Sequence, residues 1–162
     1  MRYLAAAMKR ALVILVLASL AVGAAGCGGS SGASKSAYRD GLARIAKQSG
    51  TAHQKLEKGA PAATSVAQVQ TLLRDFAAAE DRIGTEVSKL EPPNDAKAAN
   101  AELAKGQHDD AAEIRAIVPK LSKFKSVQQA FGYLQRLASS KGGREGDDAL
   151  KKLKQLGYTT GS

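Results

Sequence analysis

The two histidines, His53 and His108, are the side chains in this sequence best suited to hold a metal or a haem. A di-iron carboxylate bundle needs Glu-x-x-His on two helices. Three residues before His53 stands Gly50, and three before His108 stands Lys105, so neither histidine completes that pattern. His108-Asp109-Asp110 with Glu113 is a denser group, and Asp109 and Glu113 share a helix face at i, i+4. It reads as a solvated acidic face. An axial Met is missing beyond the amino terminus, where Met1 and Met8 stand, so a haem would need His53 and His108 together. The serines fall at helix caps and in linkers, with no Gly-x-Ser-x-Gly elbow. Gly142-Gly143-Arg144-Glu145-Gly146 is no phosphate loop, because no strand precedes it. The expectation is therefore a protein that is not an enzyme, with no cofactor and no metal. The alternative is a helical-bundle metal or cofactor carrier using His53, His108, Asp109, Asp110 and Glu113.

Charge is the stronger signal. The 162 residues carry a net charge of +9. Residues 27–114 are nearly balanced, whereas Arg115 onward holds ten Lys or Arg against three Asp or Glu. Lys120, Lys123 and Lys125 close one predicted helix, and Lys151, Lys152 and Lys154 close the next. Cations at helix C-termini complement the macrodipole, but that effect calls for fewer than are present. These six lysines are the expected anion-binding residues. With 4 % aromatics and no Trp there is little to stack on bases, so nucleic acid is not an expected partner.

The elements that must position these side chains are helices. Hydrophobic residues make up 44 % of the chain, Ala and Leu recur at helical spacing, and no strand-like alternation appears. The first helix is predicted over 35–58, along Tyr38, Leu42, Ile45, Ser49, Ala52 and Leu56, with Gly59 and Pro61 ending it. The second opens on a capping box, Ser65 to Gln68. Its stripe runs Val66, Val69, Leu73, Phe76, Glu80, Ile83, Val87, Leu90, where Glu80 is the one interruption and Ala79 covers for it. Pro92-Pro93 stops it. The third starts at Asn94 or Asp95 and follows Ala96, Ala99, Leu103, Gly106, Ala111, Ile114, Val118, Leu121 and Phe124, kinked or divided at Pro119. The fourth opens on Ser126 and Gln129 and runs to Leu156 as one helix or as two, thinned at Gly142-Gly143. Gly157 then closes it in a Schellman turn with Tyr158 folded back. The fold expected is all-α, an up-down-up-down four-helix bundle, with Phe76, Phe124 and Phe131 as its large rings.

The amino terminus is an address. Arg2, Lys9 and Arg10 precede the uncharged run Ala11–Gly26, the layout of an export signal. At 1.5 Å per residue that run spans about 24 Å, short of the roughly 30 Å hydrocarbon core. It ends Ala24-Ala25-Gly26-Cys27, and Cys27 is the sole cysteine. This stretch resembles the lipobox of bacterial lipoproteins, with Ala24 where that family most often has Leu. The resemblance implies that Cys27 carries diacylglycerol through a thioether and becomes the first residue after cleavage. The organisation expected is a signal peptide over 1–26, a Gly/Ser tether over 27–34 starting at the lipidated Cys27, the helical domain over 35–157 and a short tail over 158–162. Beyond residue 34 the chain resembles small all-helical envelope lipoproteins only loosely, and that likeness carries no site residues.

Together these features predict an exported protein held on the outer face of the cell membrane by the lipid at Cys27. It would act as a non-enzymatic binding or adaptor module. Its expected partners are that membrane, an anionic lipid or cell-wall polymer met by the basic C-terminal third, and an envelope protein.

Overall fold

The computed structural model describes residues 34–136 and 140–159, and all regular structure among them is helical. The predicted signal, Cys27 and most of the tether lie outside the described residues. Five helices follow one another: α1 (Lys35–Ala62), α2 (Val66–Ser88), α3 (Lys97–Ile117), α4 (Val127–Arg136) and α5 (Lys141–Gln155). A 3₁₀ turn, Asn94–Ala96, leads into α3, and a second, Val118–Lys123, follows it. The stretch expected to hold one fourth helix or two thus holds two.

Side-chain caps set most starts. Ser34 Oγ accepts from the Ala37 N–H at 3.2 Å and opens α1. Ser65 Oγ accepts from the Gln68 N–H at 3.2 Å, and Gln68 Oε1 reaches back to the Thr64 N–H at 2.6 Å. Ser126 and Gln129 repeat this arrangement at α4, where Gln129 Oε1 takes the Lys125 N–H at 3.1 Å. Both boxes close one residue earlier than the standard reciprocal bond to the cap's own N–H. α1 outlasts its predicted end. It carries Pro61 inside its last turn, where the ring removes one i→i−4 hydrogen bond, and stops one residue later at Ala62. At Pro119 α-helix gives way to 3₁₀. α5 ends as expected. Gly157 has φ +77°, and the Tyr158 and Gly157 N–H groups bond to the Leu153 and Lys154 carbonyls at 2.9 Å each.

Successive long helices run antiparallel. Along α1 and α2, Gly41 meets Leu90, Lys55 pairs with Asp75 at 2.8 Å and Gly59 meets Leu72. Along α2 and α3, Asn100 Nδ2 donates to the Val87 carbonyl at 3.1 Å, and Gln70 Nε2 to the Val118 carbonyl at 2.9 Å. Along α3 and α5, Glu102 pairs with Lys152 at 2.6 Å while Asp110 lies against Gly142. This last pair is the tightest. A Cβ on Gly106 would lie 2.6 Å from the Gly146 nitrogen, and one on Gly142 would lie 2.3 Å from the Asp110 nitrogen. Gly142 and Gly146 therefore form a seam that lets two backbones touch, rather than a weak point in the helix.

The apolar core divides along the bundle. One cluster gathers Tyr38, Leu42, Val87, Leu103, Leu153 and Tyr158. The other centres on Val69, Leu121 and Ala130, with Phe124, Phe131 and Leu134 packed against it. The large buried rings are thus Tyr38 and Tyr158, 1 % and 2 % exposed, meeting edge to face at 5.2 Å. The three phenylalanines expected in that role are only half-buried. Tyr158 also moves from the predicted tail into the core.

Candidate functional site

The six lysines fall into two groups at opposite ends, because α3 and α5 run antiparallel. Lys151, Lys152 and Lys154 sit where α5 ends, beside the start of α1. There Arg39 Nε donates to the Gly157 carbonyl at 2.8 Å. At this proximal end the charge is partly answered: Lys151 pairs with Asp148 at 2.8 Å and Lys152 with Glu102 at 2.6 Å. Lys120, Lys123 and Lys125 lie at the other end, on the 3₁₀ turn after α3 and just past it. None of the three has a carboxylate partner among the described residues. Lys123 instead sets its ammonium over two rings, 5.2 Å from the Phe124 centroid and 5.1 Å from that of Tyr133. At 1.5 Å per residue the 28 residues of α1 span about 42 Å, which sets the scale of the separation between the two ends.

The residues of the carrier alternative are dispersed among separate partners. His108 Nδ1 meets Asp81 at 2.6 Å, and Asp81 also takes Arg115 at 2.8 Å. These contacts, Arg115 before His108, hold the Asp81 carboxyl below its ordinary range. Asp109 pairs with Lys105 one turn away. Asp110 accepts from Ser140 Oγ at 2.5 Å, and Ser140 Oγ caps α5 by accepting the Gly143 N–H at 2.9 Å. Glu113 accepts the Lys141 and Gly142 N–H groups, each at 3.1 Å. Asp110 and Glu113 therefore hold the positive N-terminal end of α5, where a solvated acidic face was expected. No group of three His, Cys, Asp or Glu suited to a metal ion forms among the described residues.

His53 belongs to a different setting, in the middle of the bundle. Its Nδ1 donates to the Ser49 carbonyl at 3.0 Å, and its ring stands edge-on to Phe76 at 4.9 Å. Across from it lies Glu80, 3 % exposed, with Oε1 4.0 Å from His53 Nδ1. That oxygen has no hydrogen-bond partner among the described residues. Burial first, and the Asp110 charge second, push the Glu80 carboxyl up from 4.5 to about 7. Burial likewise raises Asp110 and Asp147. The sequence does signal Glu80, as the one charge in phase with the α2 stripe. It is not screened by Ala79 but sits in the core itself.

A cleft of about 660 Å³ opens between α1 and α2. Leu56, Leu72, Phe76 and Ile83 line it, and the Lys55–Asp75 pair spans it. No helix among the described residues is long and apolar enough to cross a membrane. Compared with known protein families, with curated proteins and with solved structures, the chain gives no match in any of the three.

Proposed function

We propose that this chain is a lipid-anchored extracytoplasmic binding module, without catalytic activity, that docks an anionic component of the cell envelope through the end farthest from its anchor. The observation that carries the reading is the asymmetry between the two lysine groups. Two of the three proximal lysines, Lys151 and Lys152, are paired with carboxylates, whereas among the described residues none of Lys120, Lys123 and Lys125 is. Cations without a carboxylate partner attract phosphate- or carboxylate-bearing surfaces over a Debye length of about 8 Å at physiological salt. The order of the chain supports this choice of anchor end. Cys27 precedes Ser34 by a short Gly/Ser stretch, and Ser34 caps the start of α1.

In this reading α1, α2, α3 and α5 form an up-down-up-down bundle, and α4 covers its distal end. α4 brings Tyr133 beside Lys123, while Phe131 and Leu134 pack on the distal core. The metal or cofactor carrier is the weaker reading, since the five residues it needs are engaged elsewhere. The test is binding of the domain from Ser34 to phosphatidylglycerol vesicles and to neutral phosphatidylcholine vesicles across a salt series. Binding confined to the anionic vesicles, and falling as salt rises, supports the reading. Equal binding to both overturns it.

A further inference from the structure

Glu80 occupies a core position of α2 and is almost wholly buried, yet its Oε1 has no hydrogen-bond partner among the described residues. The groups that face it come from the neighbouring helices. From α1 there is His53, 4.0 Å away, whose Nδ1 proton is already given to the Ser49 carbonyl. From α3 there is Asp110, itself under the influence of Glu113 on α3 and Asp147 on α5. The 3₁₀ turn and α4 meet α2 near Val69 and bring no charge to Glu80. Among the described residues, no Lys or Arg pairs with this carboxylate.

We propose that Glu80 is a proton-controlled latch: protonated, it lets α1 close over the middle of α2 and α3, and ionised, it loosens α1 there. A neutral carboxyl at this place costs one unmet hydrogen bond. An ionised one adds a desolvated anion next to Asp110, which water relieves only if a helix gives way. α1 is the helix able to give. Gly50 on it faces open space, and the cleft lies between it and α2. The α3–α5 seam is backbone against backbone and has no such slack. With the carboxyl pushed to about 7 when closed and returned to 4.5 when opened, the opening equilibrium of α1 rises about tenfold between about pH 6 and pH 8.

Amide hydrogen exchange on the full chain at those two pH values, corrected for the intrinsic rate, reads this directly. The α1 segment 47–56 is expected to lose about tenfold in protection at the higher pH while α3 residues 99–107 hold theirs. In Glu80→Gln, α1 protection should no longer depend on pH. An unchanged α1 in the wild type, or the same loss in Glu80→Gln, overturns the latch. Should that variant fail to fold, a carbon NMR titration of Glu80 in the wild type decides. A midpoint near neutrality supports the latch, and one in the ordinary carboxylate range overturns it.

Discussion

Replacing Gly142 by Ala tests the seam between α3 and α5. The new Cβ would stand 2.3 Å from the Asp110 nitrogen, and 2.8 Å from both the Asp109 carbonyl carbon and the Gly106 carbonyl oxygen. All three are backbone atoms of α3, so no side chain can swing aside. Normal contact lies at about 3.5–4.0 Å, so the helices must part by about 1 Å. Parting them uncovers Ala149 and Leu153, both fully buried. Overpacking of this kind costs up to about 3 kcal/mol, and the better helix propensity of Ala returns about 1 kcal/mol. The net loss is about 2 kcal/mol. At roughly 4 °C per kcal/mol for a domain of this size, Tm should fall by about 8 °C, followed by circular dichroism of the chain from Ser34. Gly50→Ala is the control. Its Cβ would meet nothing within 4 Å, so it should gain up to about 1 kcal/mol from propensity alone. If Gly142→Ala is as stable as the wild type, or matches the control, the close seam is wrong.

Three further outcomes are expected. Burial raises the Glu80 carboxyl from 4.5 to about 7, so the folded state holds its proton longer. Stability is then greatest below pH 4.5 as far as this group goes, and about 3 kcal/mol is lost as pH climbs to about 7. Urea unfolding of Glu80→Gln should lack that part of the pH dependence, and an unchanged profile would refute the assignment. Tyr38 donates its hydroxyl to Asn100 Oδ1 at 2.9 Å in the core. Tyr38→Phe strands that oxygen and should cost about 1–3 kcal/mol in the same assay, with no loss counting against the bond. Mass spectrometry of the native protein should find a chain beginning at Cys27 with acyl mass attached, whereas a free thiol there removes the anchor.

Much of the architecture was legible because it follows from local rules. The caps at Ser65 and Ser126, the break at Pro119 and the Schellman turn at Gly157 each rest on a few neighbouring residues. The α2 stripe from Val69 to Val87 also held, since burial of one helix face repeats at a fixed period. What escaped were contacts between distant elements. The sequence places His108, Asp109, Asp110 and Glu113 within two turns, but not the N-terminus of α5 that Asp110 and Glu113 hold, nor the Asp81 that His108 meets. Gly142 and Gly143 read as a thin point in the helix, because glycine looks the same whether it weakens a helix or admits another backbone. Tyr158 was expected to fold back on its own helix at the start of the tail, but its partners Tyr38 and Asp95 come from the opposite part of the chain and could not be read there. An up-down-up-down bundle already puts the ends of its third and fourth helices apart, so the two lysine groups follow from the expected topology; their unequal pairing with Asp148 and Glu102 does not.

The claim that the distal end is the docking end rests on unequal pairing of like charges, and two triple variants separate the ends. In one, Lys120, Lys123 and Lys125 become Gln; in the other, Lys151, Lys152 and Lys154 do. Each removes the same charge, so a general electrostatic effect would weaken binding to phosphatidylglycerol vesicles equally. The distal variant should lose most of its binding at about 0.15 M salt, while the proximal variant, whose lysines are partly neutralised by Asp148 and Glu102, should keep most of its own. Equal losses, or a larger loss from the proximal variant, would contradict that claim.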